Sequence, residues 1–216
     1  MSIPRMHTKY QTATRPLRRG FTLIELLVVI AIIALLSAMT IGAFSYATKA
    51  AARNRTEATF AAIKLGLTSY FSEFKEYPEP ANKGQTVQIG SKRYNSGGAA
   101  MLYQAMSGDG NNAIVVGGGE GGEGADGRFT KEEAARTMMR DMPPTTWKKI
   151  NGTYVMVDGF SKPFQYTFGA NGTNTDAVNS SSYDLWSYGE DEQNTSQDSH
   201  AAKIDPKTSA KWIKNW

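Results

Sequence analysis

The chain has 216 residues, no cysteine and a formal net charge of +4, from 24 basic and 20 acidic residues. This length allows one domain with an appendage, and the lack of cysteine excludes disulfide bonds and thiolate metal sites. Five basic residues and no acidic residue lie in residues 1–20, so residues 21–216 carry 19 basic and 20 acidic groups. Their net charge of −1 argues against a nucleic-acid-binding surface.

Residues 1–20 are predicted to be a leader without packed structure. The segment is polar and basic and contains Pro4 and Pro16, so it lacks the apolar pattern from which a core could form. It ends with two arginines and Gly20, directly before a long apolar run.

The first predicted helix starts at Phe21, and its first part, residues 21–48, is expected to cross a membrane. No charged side chain occurs between Leu26 and Thr48, which is enough helix to span a hydrocarbon core of about 30 Å at about 1.5 Å per residue. The preceding arginines favour a cytoplasmic location for that end. A carboxylate at the centre of such a helix costs about 2.5–3.5 kcal/mol, so Glu25 needs a partner.

The stretch from Arg18 to Glu25, RRGFTLIE, resembles the processing site of prepilins, the precursors of type IV pilins and type II secretion pseudopilins. The resemblance implies that a prepilin peptidase cleaves between Gly20 and Phe21, that the new amino terminus of Phe21 is methylated, and that Glu25 acts in filament assembly. The alternatives are an uncleaved anchor and an ordinary secretory signal, which would be cleaved after the apolar run, near Ala50.

Residues 49–77 are predicted to form the amphipathic half of the same helix. The helical pattern continues to Glu76 because no proline occurs before Pro78. Large apolar side chains recur at spacings of three and four, which predicts one stripe that packs on a globular body. The stripe consists of Phe60, Ile63, Leu67, Tyr70, Phe74 and Tyr77.

Residues 78–216 are predicted to form a globular head. A short strand is expected at Val87–Ile89 and a helix at Gly98–Met106. Residues 108–127 contain nine glycines, which predicts a flexible surface insertion. A phosphate-binding loop is disfavoured because no Gly-Lys-Ser/Thr sequence follows and the segment carries acidic residues.

The second half of the head is predicted to be one helix followed by strands. Thr130 and Glu133 have the spacing of a capping box, which predicts a helix over Thr130–Met142. Strand-like runs follow at Thr153–Val157, Phe164–Phe168 and Tyr183–Tyr188. Turn residues between the first two predict a hairpin. The predicted fold class is α+β: a long N-terminal helix packed on a small antiparallel β-sheet, as in pilins.

Three C-terminal segments resemble the major, G-type pseudopilins of type II secretion systems: Asp158–Tyr166, Tyr183–Asp191 and Lys211–Trp216. The resemblance implies that the loop over residues 189–211 holds a structural calcium ion through Asp191, Asp198 and the carbonyl of Tyr188. Calcium takes six to eight oxygen ligands and tolerates irregular geometry. Glutamates flank Asp191 where the family usually has alanine and glycine, and solvated loop acids are the alternative.

The predicted function is that of a structural subunit of a type II secretion pseudopilus, which moves folded proteins across the outer membrane. The alternative is a type IV pilus pilin, major or minor, for adhesion, motility or DNA uptake. An enzyme is not expected, because residues 21–216 contain one histidine, His200, and no cysteine. His-based triads and zinc sites therefore lack the residues they need.

The resemblance also implies partners and a location. The subunit would polymerise with itself and would meet a prepilin peptidase, an inner-membrane assembly platform and minor pseudopilins, with no nucleic-acid partner. It would cross the inner membrane once, with its C-terminal head in the periplasm, and then enter a periplasmic filament.

Overall fold

The computed structural model describes residues 20–114, 122–169, 172–193 and 198–216. The chain divides into two compact units between Ser45 and Tyr46, and helix α1, Leu23–Phe74, contributes to both. The predicted leader, except for Gly20, lies outside the described residues. The same holds for residues 115–121 of the predicted insertion and residues 194–197 of the predicted C-terminal loop.

The N-terminal unit contains the first part of α1. The helix begins at Leu23, two residues after the predicted start. Its large apolar side chains are exposed in this unit, among them Leu27, Ile33 and Phe44. By length and composition the helix can cross a membrane, and apolar side chains around its whole circumference suit contact with lipid.

In the head unit, α1 buries the stripe that its spacing predicts. Phe60, Ile63 and Leu67 belong to the main hydrophobic core, and Tyr70 and Tyr77 are partly buried against it. Phe74 differs, since 43% of its surface is exposed. The helix ends at Phe74, before the predicted end at Glu76, because Lys75 adopts a left-handed conformation with φ of 61°. Tyr77 therefore reaches the core from beyond the helix.

Helix α2, Gly97–Ser107, is the central element of the head, and ten of its eleven residues are buried. It packs against two strands, β4 and β5, which are Thr153–Met156 and Gln165–Phe168. A Cβ atom at Gly98 would lie 2.9 Å from the carbonyl oxygen of Tyr166, so the close approach to β5 requires glycine. The predicted helix is confirmed and extends by one residue at each end.

Seven strands form three antiparallel sheets among the described residues. Besides β4 and β5, the strands are β1 Thr86–Ile89, β2 Lys92–Asn95, β3 Trp147–Ile150, β6 Tyr183–Ser187 and β7 Ile213–Lys214. The first sheet pairs β1 with β2, the second pairs β3 with β4, and the third has the order β5-β6-β7. The central strand β6 is buried along its whole length.

The predicted hairpin between residues 153–157 and 164–168 forms only beside its turn, and its two strands do not pair along their length. Strand β4 pairs with β3, with Ile150 opposite Thr153. The two residues between them, Asn151 and Gly152, both have positive φ, at 50° and 87°, and Asn-Gly is the sequence that favours such a two-residue hairpin turn. The chain after β4 turns back at Asp158: Val157 and Pro163 form an antiparallel bridge, and the backbone N–H of Phe164 donates to the carbonyl of Met156 at 3.0 Å.

The predicted helix over Thr130–Met142 is shorter in the structure. Helix α3 spans Lys131–Ala135 and has the predicted capping box between Thr130 and Glu133. It stops because the next residues bond elsewhere: the backbone N–H groups of Met138 and Met139 donate to the carbonyl of Met106, at 3.1 and 2.9 Å. These bonds satisfy the C-terminal end of α2.

The remaining helices are short: a 3-10 helix at Pro144–Thr146, α4 at His200–Ile204 and α5 at Pro206–Ser209. The main core joins α1, α2 and the strands β4, β5 and β6. A second core of aromatic side chains lies under the C-terminal segment and contains Tyr94, Trp186, Tyr188 and Trp212. A long apolar helix followed by small antiparallel sheets is an α+β, pilin-like fold, as predicted.

Candidate functional site at the N-terminal helix and the C-terminal loop

Glu25 forms a capping box with Thr22 at the start of α1. Its Oε2 accepts hydrogen bonds from the backbone N–H of Thr22 at 2.8 Å and from the Thr22 hydroxyl at 2.7 Å. In return, the backbone N–H of Glu25 donates to the Thr22 hydroxyl at 3.2 Å. This cap was not predicted, although the Thr-Leu-Ile-Glu sequence has the spacing of the motif and carries its signal.

The predicted processing site directly precedes this cap. Gly20 and Phe21 have no helical or strand structure and are exposed, and 84% of the Phe21 surface is open. The bond between them is therefore accessible to another molecule. Both hydrogen bonds from Thr22 go to Oε2 of Glu25, and among the described residues no hydrogen bond goes to Oε1.

The structure places Asp191 at the backbone carbonyl of Tyr188 and Asp198 at its hydroxyl, so the three predicted calcium ligands do not meet at one point. The carbonyl of Tyr188 accepts a hydrogen bond from the backbone N–H of Asp191 at 2.9 Å, and its hydroxyl donates to Asp198 at 3.4 Å. The side-chain amide of Asn95 also donates to Asp198. Burial raises the pKa of the Asp198 carboxyl, and the hydrogen bond from Tyr188 and the charge of Lys203 oppose that shift.

Asp191 is buried and holds both ends of the loop. One carboxylate oxygen accepts from the backbone N–H of Gln193 at 2.9 Å, and the other accepts from the indole N–H of Trp212 at 3.1 Å. Trp212 directly precedes β7, at the end of the loop. The carboxylate therefore links the start of the loop to its end.

The side-chain ammonium of Lys162 lies beside two backbone carbonyls at the start of the loop. The ammonium of Lys162 donates to the carbonyl oxygens of Gly189 at 2.7 Å and Asp191 at 2.9 Å. No group of three or more His, Cys, Asp or Glu side chains in the described parts of the chain is placed to hold a metal. The loop oxygens bond to N–H and ammonium donors, which is not the arrangement that calcium requires. Calcium at Asp191, Asp198 and Tyr188 stays a prediction.

Asp158 positions Lys162. One carboxylate oxygen accepts from the backbone N–H groups of Phe160 and Lys162, both at 2.9 Å. The other accepts from the Ser187 hydroxyl at 2.5 Å. Burial raises the pKa of Asp158, although these donors and the charge of Lys162 favour its ionised form. The turn after β4 and the end of β6 are thus held by one buried carboxylate.

Lys203 and Asp184 form an ion pair that was not predicted from the sequence. The two side chains are separated by 2.9 Å, and both are fully buried. Burial lowers the pKa of Lys203, and the hydrogen bond and charge of Asp184 oppose that shift. The available signal was Asp184 itself, the only charged residue of a strand that also contains Tyr183, Leu185 and Trp186, since a buried charge requires a partner.

The base of the predicted insertion is more ordered than its glycine content suggests. The fully buried Asp109 accepts from the backbone N–H groups of Asp126 at 3.0 Å and Gly127 at 2.9 Å, and from the hydroxyl of Tyr103 at 2.8 Å. Glu133 accepts from the N–H of Gly110 at 2.9 Å. Backbone hydrogen bonds from Thr130 and Gly110 lower the pKa of Glu133. The carboxylates of Glu133 and Asp109 therefore hold the two ends of the predicted insertion, at Gly110 and at Asp126 and Gly127.

Residues 15–41 match the family described as the prokaryotic N-terminal methylation motif. The match includes the predicted cleavage site, Glu25 and most of the apolar part of α1. No curated protein and no solved structure matches the chain. The motif indicates a type IV pilin-like protein, and the single N-terminal apolar helix is consistent with a membrane anchor in such a protein.

Proposed function

We propose that this chain is a structural subunit of a type II secretion pseudopilus, assembled after cleavage between Gly20 and Phe21. The observation that carries the proposal is the methylation motif at residues 15–41 on an exposed apolar helix whose first turn presents Glu25. The head contributes a folded body, and the apolar helix contributes first a membrane anchor and then the core of a filament.

Cleavage would create the charge that assembly needs. Removal of residues 1–20 leaves an amine on Phe21, which is largely protonated at neutral pH. The carboxylate of Glu25 in one subunit then meets the amine of a neighbouring subunit in a low-dielectric environment, where each charge offsets the desolvation cost of the other. Apolar packing alone permits many axial positions of two helices, and this pair selects one.

The capping box supports this mechanism because it gives Glu25 a defined place before assembly. The bonds from Thr22 hold Oε2 at the helix terminus, where the helix dipole also favours negative charge. The carboxylate therefore has partners while the subunit is still a membrane protein, and Oε1 is left to receive the amine of a neighbour.

The C-terminal resemblance favours secretion over a pilus. Asp158 lies in the turn that resembles the pseudopilin turn, and its carboxylate bonds to Ser187 at the end of the segment that resembles the pseudopilin strand and loop. The absence of cysteine also favours this branch, since many type IV pilins close a C-terminal loop with a disulfide. A type IV pilus pilin for adhesion, motility or DNA uptake is the second candidate.

The proposal includes the partners and the location of the subunit. It polymerises with other copies, is cleaved by a prepilin peptidase, and is assembled by an inner-membrane platform together with minor pseudopilins. Its head is on the periplasmic side, because the basic residues before the apolar run favour the cytoplasm. It acts as a structural protein and not as an enzyme, and it binds no nucleic acid.

Mass spectrometry of the chain, isolated from its own host, tests the processing step. We expect a protein that begins at Phe21 and carries one methyl group on its amine, and a Gly20→Val variant that keeps residues 1–20. A mature chain that begins near Ala50, or an intact Met1, would contradict the proposal.

Deletion of the gene distinguishes the two candidate functions. A pseudopilin deletion should leave exported proteins in the periplasm and reduce their amount in the medium, and the intact gene should restore them. Normal secretion together with the loss of surface filaments would instead identify a pilus subunit.

A further inference from the structure

The loop over residues 189–211 leaves β6 and returns to β7, and one lysine bonds to its start while another lies within it. Lys162 reaches the start of the loop from the turn after β4. Lys203 lies on α4, in the second half of the loop, and reaches back to the main sheet. We infer that Lys162 and Lys203 fasten this loop as internal cations, so that the head closes it without a bound metal ion.

Lys203 has an acceptor for each of its three ammonium protons. Its Nζ lies 2.9 Å from Oδ2 of Asp184, 2.7 Å from the carbonyl oxygen of Asp176 and 3.2 Å from the hydroxyl of Thr167. It also lies 4.6 Å from the centre of the Trp186 ring, within reach of a cation–π interaction. An ammonium has three donors and no acceptor, so this site satisfies it completely.

The carboxylate that receives Lys203 is also satisfied. Asp184 accepts from the backbone N–H groups of Val178 at 2.8 Å and Asn179 at 2.9 Å in addition to the ammonium. A buried ion pair overcomes the cost of its desolvation only when its remaining hydrogen-bonding capacity is used. This pair meets that condition, and it ties α4 to β6 and to the segment before β6.

Lys162 acts on the backbone at the start of the loop. The carbonyls of Gly189 and Asp191 converge on one ammonium, at 2.7 and 2.9 Å. Backbone carbonyls that converge on a point in a loop are also what calcium selects, and here a protein group occupies that point. Burial and the positive charge of Lys92 lower the pKa of Lys162, and the negative charges of Asp158, Glu192 and Asp191 oppose that shift.

Further contacts inside the head connect the site of Lys162 with the site of Lys203. The indole N–H of Trp212 donates to Asp191 at 3.1 Å, and the indole N–H of Trp216 donates to the carbonyl of Lys203 at 3.2 Å. Both indoles pack on the ring of Trp186. The tryptophan side chains therefore contact both the start of the loop, at Asp191, and α4, at Lys203.

The first experiment asks whether the loop needs a metal. The full-length chain is purified in detergent, and its thermal unfolding is followed by tryptophan fluorescence in excess chelator and in millimolar calcium. We expect the same melting temperature in both solutions, to within about 1 °C. A melting temperature that rises with calcium and falls with chelator would overturn the inference.

The second experiment removes each ammonium with little change of shape. Lys203→Met should lower the melting temperature by about 10 °C, because it leaves the carboxylate of Asp184 buried and unpaired. Lys162→Met should have a smaller effect on melting but should speed proteolytic cleavage within residues 189–211. The matched controls are Lys207→Met and Lys148→Met, since both lysines are exposed.

Lys162→Met tests the role of the lysines even if Lys203→Met does not fold. Lys162 is partly exposed, and its loss removes one donor from two carbonyls, so Lys162→Met should remain folded. If cleavage of Lys162→Met and melting of Lys203→Met both match those of the control variants, the lysines do not fasten the loop. If calcium raises the melting temperature of Lys162→Met but not that of the wild type, the inference is supported. Calcium and the ammonium would then compete for the same carbonyls, those of Gly189 and Asp191.

Discussion

The ammonium of Lys203 lies 2.9 Å from Oδ2 of Asp184, and both side chains are 0% exposed. The pair joins a five-residue helix to the central strand of the largest sheet. A helix that short has little stability of its own, so its position depends on contacts such as this one. The contribution of each partner can be separated by mutation.

A double-mutant cycle should show that the two charges are strongly coupled. We expect Asp184→Asn or Lys203→Met alone to lower the free energy of unfolding by about 3–5 kcal/mol, because each leaves one buried charge without its partner. The double variant should lose less than the sum, with a coupling energy of about 0.5–3 kcal/mol. Urea unfolding gives the free energy of unfolding of the wild type, the two single variants and the double variant. If the losses of the single variants add up to that of the double variant, the two charges are not coupled.

The stability of the head should fall as the pH rises above about 10. Burial raises the pKa of Tyr183 to about 12 from an ordinary value of 10.0, and the charge of Tyr77 adds to the shift. Burial and the hydrogen bond to Asp109 raise the pKa of Tyr103 in the same direction. Between the two values the folded state holds more protons than the unfolded state, so the free energy of unfolding decreases with rising pH.

Urea unfolding at a series of pH values, together with the ultraviolet absorbance of tyrosinate, measures this dependence. The slope of stability against pH should become smaller in Tyr183→Phe, which removes one of the shifted groups. If all tyrosines of the folded chain ionised near their ordinary pKa, the prediction would be wrong.

Glu25→Gln should separate the capping role of this residue from its charge. Glutamine occurs at the same position of capping boxes, so the variant should keep the start of α1 and should still be cleaved after Gly20. It cannot neutralise the amine of a neighbouring subunit and should therefore fail to enter filaments. Thr22→Ala is the complementary variant, because it weakens the cap by about 0.5–2 kcal/mol and keeps the carboxylate.

Crosslinking between subunits in the host reports on filament entry for both variants. The expected order of incorporation is wild type, then Thr22→Ala, then Glu25→Gln. Incorporation of Glu25→Gln at the wild-type level would rule out the proposed charge pair.

Gly159→Ala should loosen the contact between the turn after β4 and helix α1. A Cβ atom at Gly159 would lie 2.0 Å from the carbonyl oxygen of Ala52 and 3.0 Å from the hydroxyl of Thr56. The turn must then move, and it also loses the hydrogen bond from its N–H to Thr56, now 2.9 Å. We expect a loss of about 1–3 kcal/mol in the free energy of unfolding.

Gly84→Ala is the matched control for this change, because a Cβ atom added at Gly84 would have no other atom within 4 Å. Thermal or urea unfolding compares the stability of Gly159→Ala with that of Gly84→Ala. Equal stability of both variants would mean that the turn tolerates displacement from α1 at no cost.

Elements with strong local signals could be predicted from the sequence. The spacing of Phe60, Ile63 and Leu67 identified the buried face of α1, and the apolar composition of α2 identified its position. The processing motif and the cap at Thr130 are also local patterns. Each depends on residues within a few positions of one another, so no knowledge of the tertiary structure was required.

The wrong predictions of helix length and strand pairing have a different physical origin. The helix after Thr130 was predicted too long because Met138 and Met139 bond to the end of α2 instead of continuing their own helix. The partner of β4 was predicted wrongly because the turn at Asp158 was preferred to the Asn-Gly turn before it. The contacts of Lys162 and Lys203 join residues that are far apart in the chain, and no sequence spacing indicates such contacts.

The carboxylate of Asp109 has a consequence for protein engineering. It fixes the backbone N–H groups of Asp126 and Gly127 beside α2, so the two ends of the intervening segment stay close together whatever lies between them. The entropic cost of closing a loop grows only slowly with its length. A reporter peptide placed within residues 115–121 should thus leave the head folded, and this position would allow the subunit to be followed in living cells.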